Sequence, residues 1–365
     1  MRQEICIGAV FPGGSDPAFV RKRSGSGPEC LEAEAKRDMK ESFRDISGVP
    51  TAEPAHADND QGRQRTGLAS LTMAQRVSGE RYPTIDVEFD ASIGTYWCTM
   101  RPDGHLCFTP RLLEDFSTMQ SSIRRLYHAY ARPDQPHQMR YFVLRSGLKN
   151  VYNYGGDLNL FVDLIRSGDR EGLLRYGRAC IRVLHTNATS IKLPIVTVAL
   201  VQGDALGGGF ECALSFDVII AERQAKFGFP EVLFNLFPGM GAYSFLSRRL
   251  DGNQAERMIL SGRLHTAEEL YEMGLIDVLV DEGEGQSAAM DYISRNTRRH
   301  NAHQAIYHAR RTVNPLPFEE LESVVELWVE AAMQLSESDM RKMLRLTAAQ
   351  DRRRTGDTSS VNRPA

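Results

Sequence analysis

The sequence predicts an α/β fold with a helical C-terminal region. Residues 195–201 form a run without charged residues that is rich in β-branched side chains, which is typical of a strand covered on both faces. Two segments, 144–158 and 195–215, each pass from a strand through glycines into an apolar helix. From Met240 onward the apolar spacing is almost wholly helical. Strand–loop–helix units followed by helices indicate one α/β region with added helices.

Local patterns predict the individual elements. Residues 84–89 and 94–100 alternate in strand fashion around turn residues, which predicts a hairpin. Thr109 followed by Pro110 is typical of a helix start. Further predicted elements are a strand at 141–144, a helical region over 158–185 with a break at Ser167–Gly168, and strands at 218–221 and 276–280.

Composition and charge narrow the classes of function. The chain has 365 residues, 42% hydrophobic and 25% charged, with a net charge of -3, so it can bury a substantial core. This charge gives no electrostatic reason to expect nucleic acid as a partner, and no apolar run is long enough for membrane insertion. Six cysteines without CxxC and nine histidines without HExxH predict reduced thiols, a cytoplasmic location and no metal.

The N-terminal segment differs from the rest of the chain. Residues 25–67 contain few large apolar side chains and cannot bury enough surface to offset the entropy of ordering. We therefore predict that residues 1–79 are a disordered extension. Met73 heads the better-patterned part and offers an alternative start.

Three consecutive glycines, Gly207, Gly208 and Gly209, lie between a strand and a helix that carries Glu211. A glycine turn at a helix start leaves N–H groups unpaired and lets a ligand approach the backbone. Such groups suit a developing negative charge. The alternative is that the glycines only permit a tight turn. A phosphate cradle fits less well, because the spacing matches neither GxGxxG nor the P-loop.

A second turn of the same kind occurs upstream, in the sequence YGGDL. Here Gly155 and Gly156 precede Asp157, whose simplest role is that of a helix N-cap. Two strand–glycine–helix turns could each direct one N–H at the same oxygen. Paired donors of that kind form an oxyanion hole, worth roughly 3–4 kcal/mol per donor.

Two glutamates lie in apolar surroundings close to glycine-rich turns. Glu211 is flanked by Phe210 and Cys212, and Glu231 follows Pro230 in the sequence FGFPEVLF. Desolvation raises the pKa of a carboxyl group toward the range useful for proton transfer at neutral pH. Either residue alone could be an ordinary surface glutamate. Their shared setting favours an acid/base pair.

These motifs carry a family resemblance. The sequence LVQGDALGGGFE, with YGGDL before it and FGFPEVLFNLFPGMG after it, resembles the crotonase (enoyl-CoA hydratase/isomerase) superfamily over residues 82–354. The stretches PEVLFNLFPGMGAYSFLSRR and ELWVEAAMQL are similar to diffusible signal factor (DSF) synthases of RpfF type. The resemblance implies a crotonase-like ββα spiral core at 80–262 and a C-terminal helical trimerisation and lid region at 263–350. It also implies a homotrimer or a dimer of trimers. The polar residues 351–365 are expected to form a disordered tail.

The resemblance further implies the roles of individual residues. The amides of Gly156 and Gly208 would form the oxyanion hole, and Glu211 and Glu231 would be the acid/base pair. No cofactor is implied. The expected substrate-binding residues are Gly155, Leu206, Gly207, Met240, Trp328 and Leu346, of which the last three would line an apolar tunnel for an acyl chain.

The implied activity is that of a lyase and thioesterase. It would dehydrate a 3-hydroxyacyl group on acyl carrier protein and hydrolyse the thioester, which releases a cis-2-unsaturated fatty acid as a quorum-sensing signal. One alternative is an enoyl-CoA hydratase/isomerase acting on CoA thioesters, and another is a non-catalytic crotonase-fold binding protein. The resemblance also implies a regulatory partner, either a sensor kinase or a signal receptor.

Overall fold

Two β-sheets form the framework of the protein. The computed structural model describes residues 71–101 and 107–355, and the following bounds refer to that part of the chain. The strands are β1 (Ile85–Asp90), β2 (Thr95–Met100), β3 (Tyr141–Ser146), β4 (Asn150–Asn153), β5 (Val196–Val201), β6 (Gly203–Leu206), β7 (Val218–Glu222), β8 (Lys226–Gly228), β9 (Leu264–Thr266) and β10 (Val278–Val280).

One sheet has six strands in the order β1-β2-β3-β5-β7-β10, and the other has four in the order β4-β6-β8-β9. Pairing is parallel except between β1 and β2 and between β8 and β9. The chain alternates between the sheets, because β3, β5 and β7 lie in the first and β4, β6 and β8 in the second. Each such pair of strands is followed by helical structure. The result is a spiral of ββα turns.

Helices cover the sheets and form most of the C-terminal region. Three short 3-10 segments, Ser190–Lys192, Pro230–Phe234 and Thr297–Arg299, lie between the longer elements. The α-helices are α1 (Met73–Ser78), α2 (Pro110–Ala129), α3 (Leu158–Ser167), α4 (Arg170–Ala188), α5 (Gly208–Leu214), α6 (Ala242–Leu246), α7 (Gly252–Ser261), α8 (Ala267–Glu272), α9 (Gly285–Asn296), α10 (His300–Val313), α11 (Phe318–Met333) and α12 (Glu337–Thr355).

Strand β5 lies at the centre of the core. All six of its residues are buried, and its five apolar side chains divide between two hydrophobic clusters. Val196, Val198 and Leu200 pack with Ile293 of α9, whereas Ala199 and Val201 belong to the main cluster on the other face. Burial on both faces explains why this segment is almost entirely apolar. The predicted α/β fold with a helical C-terminal region is confirmed.

Several local predictions are confirmed in detail. The hairpin is the antiparallel pair β1–β2. The side chain of Thr109 accepts the N–H of Leu112 and caps α2. The helical break occurs at Gly168, whose φ of 71° is left-handed. The sequence analysis missed β4, β6, β8 and β9, because strands of three or four residues are too short to show an alternating pattern.

Two predicted boundaries are wrong. Residues 71–79 do not share the expected disorder, because Thr72 caps helix α1 and the side chains of Met73 and Val77 are buried. Residues 1–70 lie outside the described part of the chain. At the other end, α12 continues to Thr355 and so extends into the predicted tail, while residues 356–365 are not described. Among the described helices, none is both long and apolar enough to cross a bilayer.

Candidate active site

The two glycine turns lie in direct backbone contact. Strands β4 and β6 pair in parallel, so the turns that follow them meet at the same edge of the four-stranded sheet. Gly155 has a φ of 93°, and a Cβ there would lie 2.6 Å from the amide nitrogen of Gly208. A Cβ at Gly208 would lie 3.2 Å from the Cα of Gly155. Only glycines allow backbones to approach this closely.

Amides next to the predicted oxyanion hole are already hydrogen-bonded. The N–H of Gly155 donates to Asn153 Oδ1 at 2.7 Å, and the N–H of Gly207 donates to the carbonyl of Gly228 at 2.8 Å. The amides of Gly156 and Gly208 have no hydrogen-bond partner among the described residues, and both glycines line the same cavity. The structure therefore brings together two free donors where the sequence analysis expected them.

Glu211 lies at the start of α5 and is only 1% exposed. Its Oε1 accepts two main-chain N–H groups, from Met240 at 2.8 Å and from Ala242 at 2.9 Å. Burial raises the pKa of this carboxyl to about 7, although the main-chain donors oppose that rise by favouring the charged form. These contacts fix the side chain on the cavity wall.

Glu231 lies in the 3-10 segment Pro230–Phe234 and faces the same cavity. The residue retains some exposed surface, but its Oε2 is buried and has no hydrogen-bond partner among the described residues. Burial and then the negative charge of Glu211 raise the pKa of Glu231 to about 8. Near neutral pH, two carboxyl groups with such pKa values hold about one proton in total. One group can then act as the acid and the other as the base.

Gly207 makes room for the carboxylate of Glu231. Its φ is 51°, and an added Cβ would collide with Oε1 of Glu231. We expect Gly207→Ala to lower kcat by roughly 100-fold, because a displacement of about 1 Å in a reacting group has that effect. Steady-state kinetics would measure the change in kcat.

Gly252→Ala is the matched control, since a Cβ at Gly252 meets nothing within 4 Å. It should retain wild-type turnover. A Gly207→Ala enzyme with unchanged kcat would contradict the placement of Glu231 beside this turn.

The remaining cavity wall is largely apolar. Met240, Trp328 and Leu346 lie on it, as expected from the sequence. The indole of Trp328 packs against Gly239 and edge-on against Phe161, with ring centroids 5.1 Å apart. A wall of this composition suits an acyl chain. Other apolar residues on the wall are Phe108, Leu113, Leu158, Val183, Leu184, Phe234 and Leu236.

Two of the predicted binding residues do not line the cavity. Leu206 instead packs with Val151 and Tyr154 in a separate small cluster. Gly155 supports the turn through its contact with Gly208 and is not part of the lining. Adjacency in sequence does not decide which residues line the cavity, since a residue next to a glycine turn need not point the same way as the turn.

Sequence reasoning missed several residues that reach the cavity from α3 and α4. Phe161, Tyr176 and Cys180 lie on its wall. Tyr176 and Cys180 are spaced one helical turn apart, which places them on the same face of α4. That spacing indicated a buried face but could not show that the face opens onto a cavity.

The sequence is similar to those of known proteins. Residues 117–348 match the enoyl-CoA hydratase/isomerase family. The chain belongs to this family. Among curated members of similar sequence, the fatty acid oxidation complex subunit alpha of Pseudomonas aeruginosa is 32% identical over 163 residues, which is 45% of this chain and 22% of that protein. The corresponding subunit of Pseudomonas syringae pv. tomato is 33% identical over 153 residues, which is 42% of this chain and 20% of that protein.

Solved structures of the crotonase superfamily share the spiral fold. Pseudomonas aeruginosa DspI is 25% identical, with a TM-score of 0.55 over 75% of this chain and 97% of that chain. Human mitochondrial delta3-delta2-enoyl-CoA isomerase is 20% identical, with a TM-score of 0.58 over 73% of this chain and 97% of that chain. The second likeness concerns the fold alone. The crotonase-like fold expected from the sequence is confirmed.

Proposed function

We propose that this enoyl-CoA hydratase/isomerase family protein dehydrates a 3-hydroxyacyl thioester and then hydrolyses it, which releases a cis-2-unsaturated fatty acid. One observation carries the proposal: two uncommitted amides and two carboxyl groups of raised pKa line a single apolar cavity. Acid/base catalysis next to oxyanion donors is the chemistry that such a set performs.

Dehydration uses all four groups. The thioester oxygen accepts the N–H groups of Gly156 and Gly208, which stabilise the enolate formed when a proton leaves C2. One of Glu211 and Glu231, as carboxylate, takes that proton. The other, as carboxylic acid, protonates the 3-hydroxyl. The C3–O bond breaks, water leaves, and the enolate electrons form the C2–C3 double bond.

Hydrolysis reuses the same donors. A glutamate takes a proton from water as the oxygen attacks the thioester carbon, and the amides stabilise the tetrahedral oxyanion. The carbon–sulfur bond then breaks, and the departing thiolate takes a proton. Cys180 lies on the cavity wall and is an alternative nucleophile, but burial raises the pKa of its thiol well above the usual value and keeps it neutral. Direct attack by water is the better route.

The identity of the carrier belongs to the same proposal. The PEVLFNLFPGMGAYSFLSRR and ELWVEAAMQL stretches support a carrier-protein substrate and a signal product, through their similarity to DSF synthases of RpfF type. A regulatory sensor kinase or signal receptor follows from that similarity as well. The crotonase resemblance supports a homotrimer or a dimer of trimers, and the cysteine pattern supports a cytoplasmic location.

A second candidate is reversible hydration of enoyl-CoA without release of the acid. Sequence similarity to the alpha subunits of fatty acid oxidation complexes favours it. Both candidates use the same glutamates and the same amides, so they differ in whether the thioester is hydrolysed and in which carrier is accepted.

Product analysis separates the two candidates. The purified protein would be incubated with 3-hydroxydodecanoyl carrier protein and, separately, with 3-hydroxydodecanoyl-CoA, and the lipids would be identified by mass spectrometry. We expect a free cis-2-unsaturated acid. Interconversion of CoA esters without release would favour the hydratase, and the absence of turnover with either thioester would contradict both.

The raised pKa values predict a bell-shaped pH profile. The pair works as one acid and one base only while it holds a single proton. Activity should fall below about pH 7, when both groups are protonated, and above about pH 8, when both are ionised. Measurement of kcat from about pH 5 to about pH 10 tests this expectation. A profile that stays flat on both sides of neutrality would contradict an acid/base pair that works only while it holds a single proton.

A further inference from the structure

We infer that Tyr176 is a positioning residue that holds the Gly156 amide in the orientation needed for the oxyanion hole. This inference rests on the proposed function. Tyr176 lies on α4 and is buried. Its hydroxyl donates to the carbonyl oxygen of Phe108 at 2.6 Å and accepts the N–H of Asp157 at 3.2 Å. One phenol thus joins the two chain segments that meet beside Gly156.

The contacts around this hydroxyl determine which amide remains free. Of three consecutive amides, that of Gly155 is bonded to Asn153 and that of Asp157 to Tyr176. The N–H of Gly156, between them, has no partner among the described residues. Because its neighbours on both sides are held, Gly156 cannot rotate its amide without breaking a hydrogen bond.

Peptide geometry extends the argument to direction. The carbonyl of Gly155 and the N–H of Gly156 belong to one planar peptide and point opposite ways. That carbonyl accepts the N–H of Phe108 at 2.7 Å, and Phe108 and Gly156 form a parallel β-bridge. Fixing Phe108 therefore fixes the direction of the Gly156 N–H. The Tyr176 hydroxyl holds Phe108 through its carbonyl, on the other side of the same residue.

Aromatic packing supports the same turn. The ring of Phe161 occupies the space beside Gly156, where a Cβ would lie 2.6 Å from its Cζ. Tyr176 packs edge-on against Phe161 with ring centroids 5.0 Å apart. A Tyr176→Phe substitution keeps this ring contact and removes only the hydroxyl, so it tests the two hydrogen bonds alone.

Direct proton transfer by Tyr176 does not fit its surroundings. Burial raises the pKa of the phenol well above its usual value, and both hydrogen-bonding directions of the hydroxyl are occupied by main-chain groups. The hydroxyl therefore acts on the reaction through Gly156, and its proton is donated to Phe108 and not to the substrate.

Kinetics of Tyr176→Phe provide the first test. We expect kcat for dehydration to fall by roughly 10–100-fold, less than the loss of an oxyanion donor, with KM changed by less than about 3-fold. Tyr141→Phe is the matched control, because the hydroxyl of Tyr141 is buried, has no partner among the described residues and lies away from the cavity. It should leave kcat unchanged. Equal kcat in Tyr176→Phe and wild type would overturn the inference.

A spectroscopic measurement separates this inference from the proposed function. A dodecanoyl thioester analogue with CH2 in place of the sulfur and carbon-13 at its carbonyl can be neither dehydrated nor hydrolysed. Its carbonyl stretch can therefore be recorded by difference infrared spectroscopy while it is bound. Wild type should shift the band to lower frequency, and Tyr176→Phe should lose part of that shift. Identical bands in both proteins would overturn the role of Tyr176 even if wild type dehydrates its substrate. An inactive wild type that still shows the band difference would reject the proposed function alone.

Fluorinated tyrosines at position 176 provide a series that keeps both contacts if Tyr176→Phe is too unstable to assay. Fluorine strengthens the hydroxyl as a donor to the Phe108 carbonyl and weakens it as an acceptor for the Asp157 amide, so kcat and the band shift should change together along the series. A series in which neither changes would contradict the positioning role.

Discussion

Replacement of either Glu211 or Glu231 by glutamine is expected to lower kcat for dehydration by roughly 1,000-fold. Glutamine keeps the shape of the side chain but can neither take the C2 proton nor protonate the leaving hydroxyl. Glu211→Gln should keep the contacts with Met240 and Ala242 through its amide oxygen, so the protein should remain folded. Steady-state kinetics on 3-hydroxydodecanoyl carrier protein measure the loss.

A double variant and a matched control test this expectation further. Because the two carboxyls act as a unit, the double variant should be less than about 10-fold slower than the worse single variant. Glu222→Gln is the matched control, since Glu222 is also buried but lies outside the cavity. It should keep wild-type kcat when folded. Wild-type turnover by Glu211→Gln or Glu231→Gln would remove that carboxyl from the mechanism.

The same substitutions are expected to stabilise the fold at alkaline pH. Burial raises the pKa of Glu211 to about 7 and that of Glu231 to about 8, from an ordinary value of 4.5. A carboxyl whose pKa is higher in the folded state costs stability once the pH rises above its unfolded value, and the cost is complete above the folded value. Near pH 9, Glu231→Gln should raise the free energy of unfolding by about 2 kcal/mol. This gain is smaller than the pKa shift alone implies, because the new amide N–H groups lack partners.

The effect of pH on this gain distinguishes it from general stabilisation. Near pH 4 the wild-type carboxyl is largely protonated in both the folded and the unfolded state, so the gain should be lost. Only the cost of the unpartnered amide N–H groups should remain, and Glu231→Gln should then be less stable than wild type. Glu222 should behave in the opposite way. Burial raises its pKa, but hydrogen bonds from Gln224, Gln202 and main-chain amides outweigh that effect and lower the pKa overall. Glu222→Gln should therefore destabilise the protein at neutral pH, and this loss should shrink as the pH falls toward the lowered pKa.

Thermal melts of Glu211→Gln, Glu231→Gln, Glu222→Gln and wild type, from about pH 4 to about pH 9, would measure these changes in stability. A Glu231→Gln protein that is less stable than wild type near pH 9 would contradict the desolvated state assigned to the carboxyl. The expected gain also shows that these glutamates are retained at a cost to the fold, which is typical of functional groups rather than structural ones.

Much of the fold could be predicted from the sequence because its signals are local. The buried run of β5, the Thr109 cap and the left-handed Gly168 each depend on a few adjacent residues. Strands β4, β6 and β8 could not be predicted in the same way. They are three or four residues long and are stabilised by pairing with strands distant in sequence, which no local pattern records.

In the site, too, some residues are marked by local motifs and others depend on contacts distant in sequence. Glu211 and Gly208 share one helix start, and Glu231 has a distinctive apolar setting, so short motifs reveal them. Tyr176 acts through Phe108, which lies 68 positions away in the chain. Such long-range contacts appear only when the chain is folded. The side chain of Leu206 lies away from the cavity, although Gly207 and Gly208, which follow it in sequence, lie on the cavity wall.

Exchange of the C2 protons of a bound thioester tests the central claim most directly. Dodecanoyl thioester cannot be dehydrated, so deuterium at C2 after incubation in deuterium oxide reports enolate formation by the amide pair and a glutamate. Mass spectrometry of the recovered acyl group should show deuterium with wild type and none with the Glu211→Gln, Glu231→Gln double variant. If wild type binds the thioester saturably and leaves C2 unlabelled, the proposed active site is wrong.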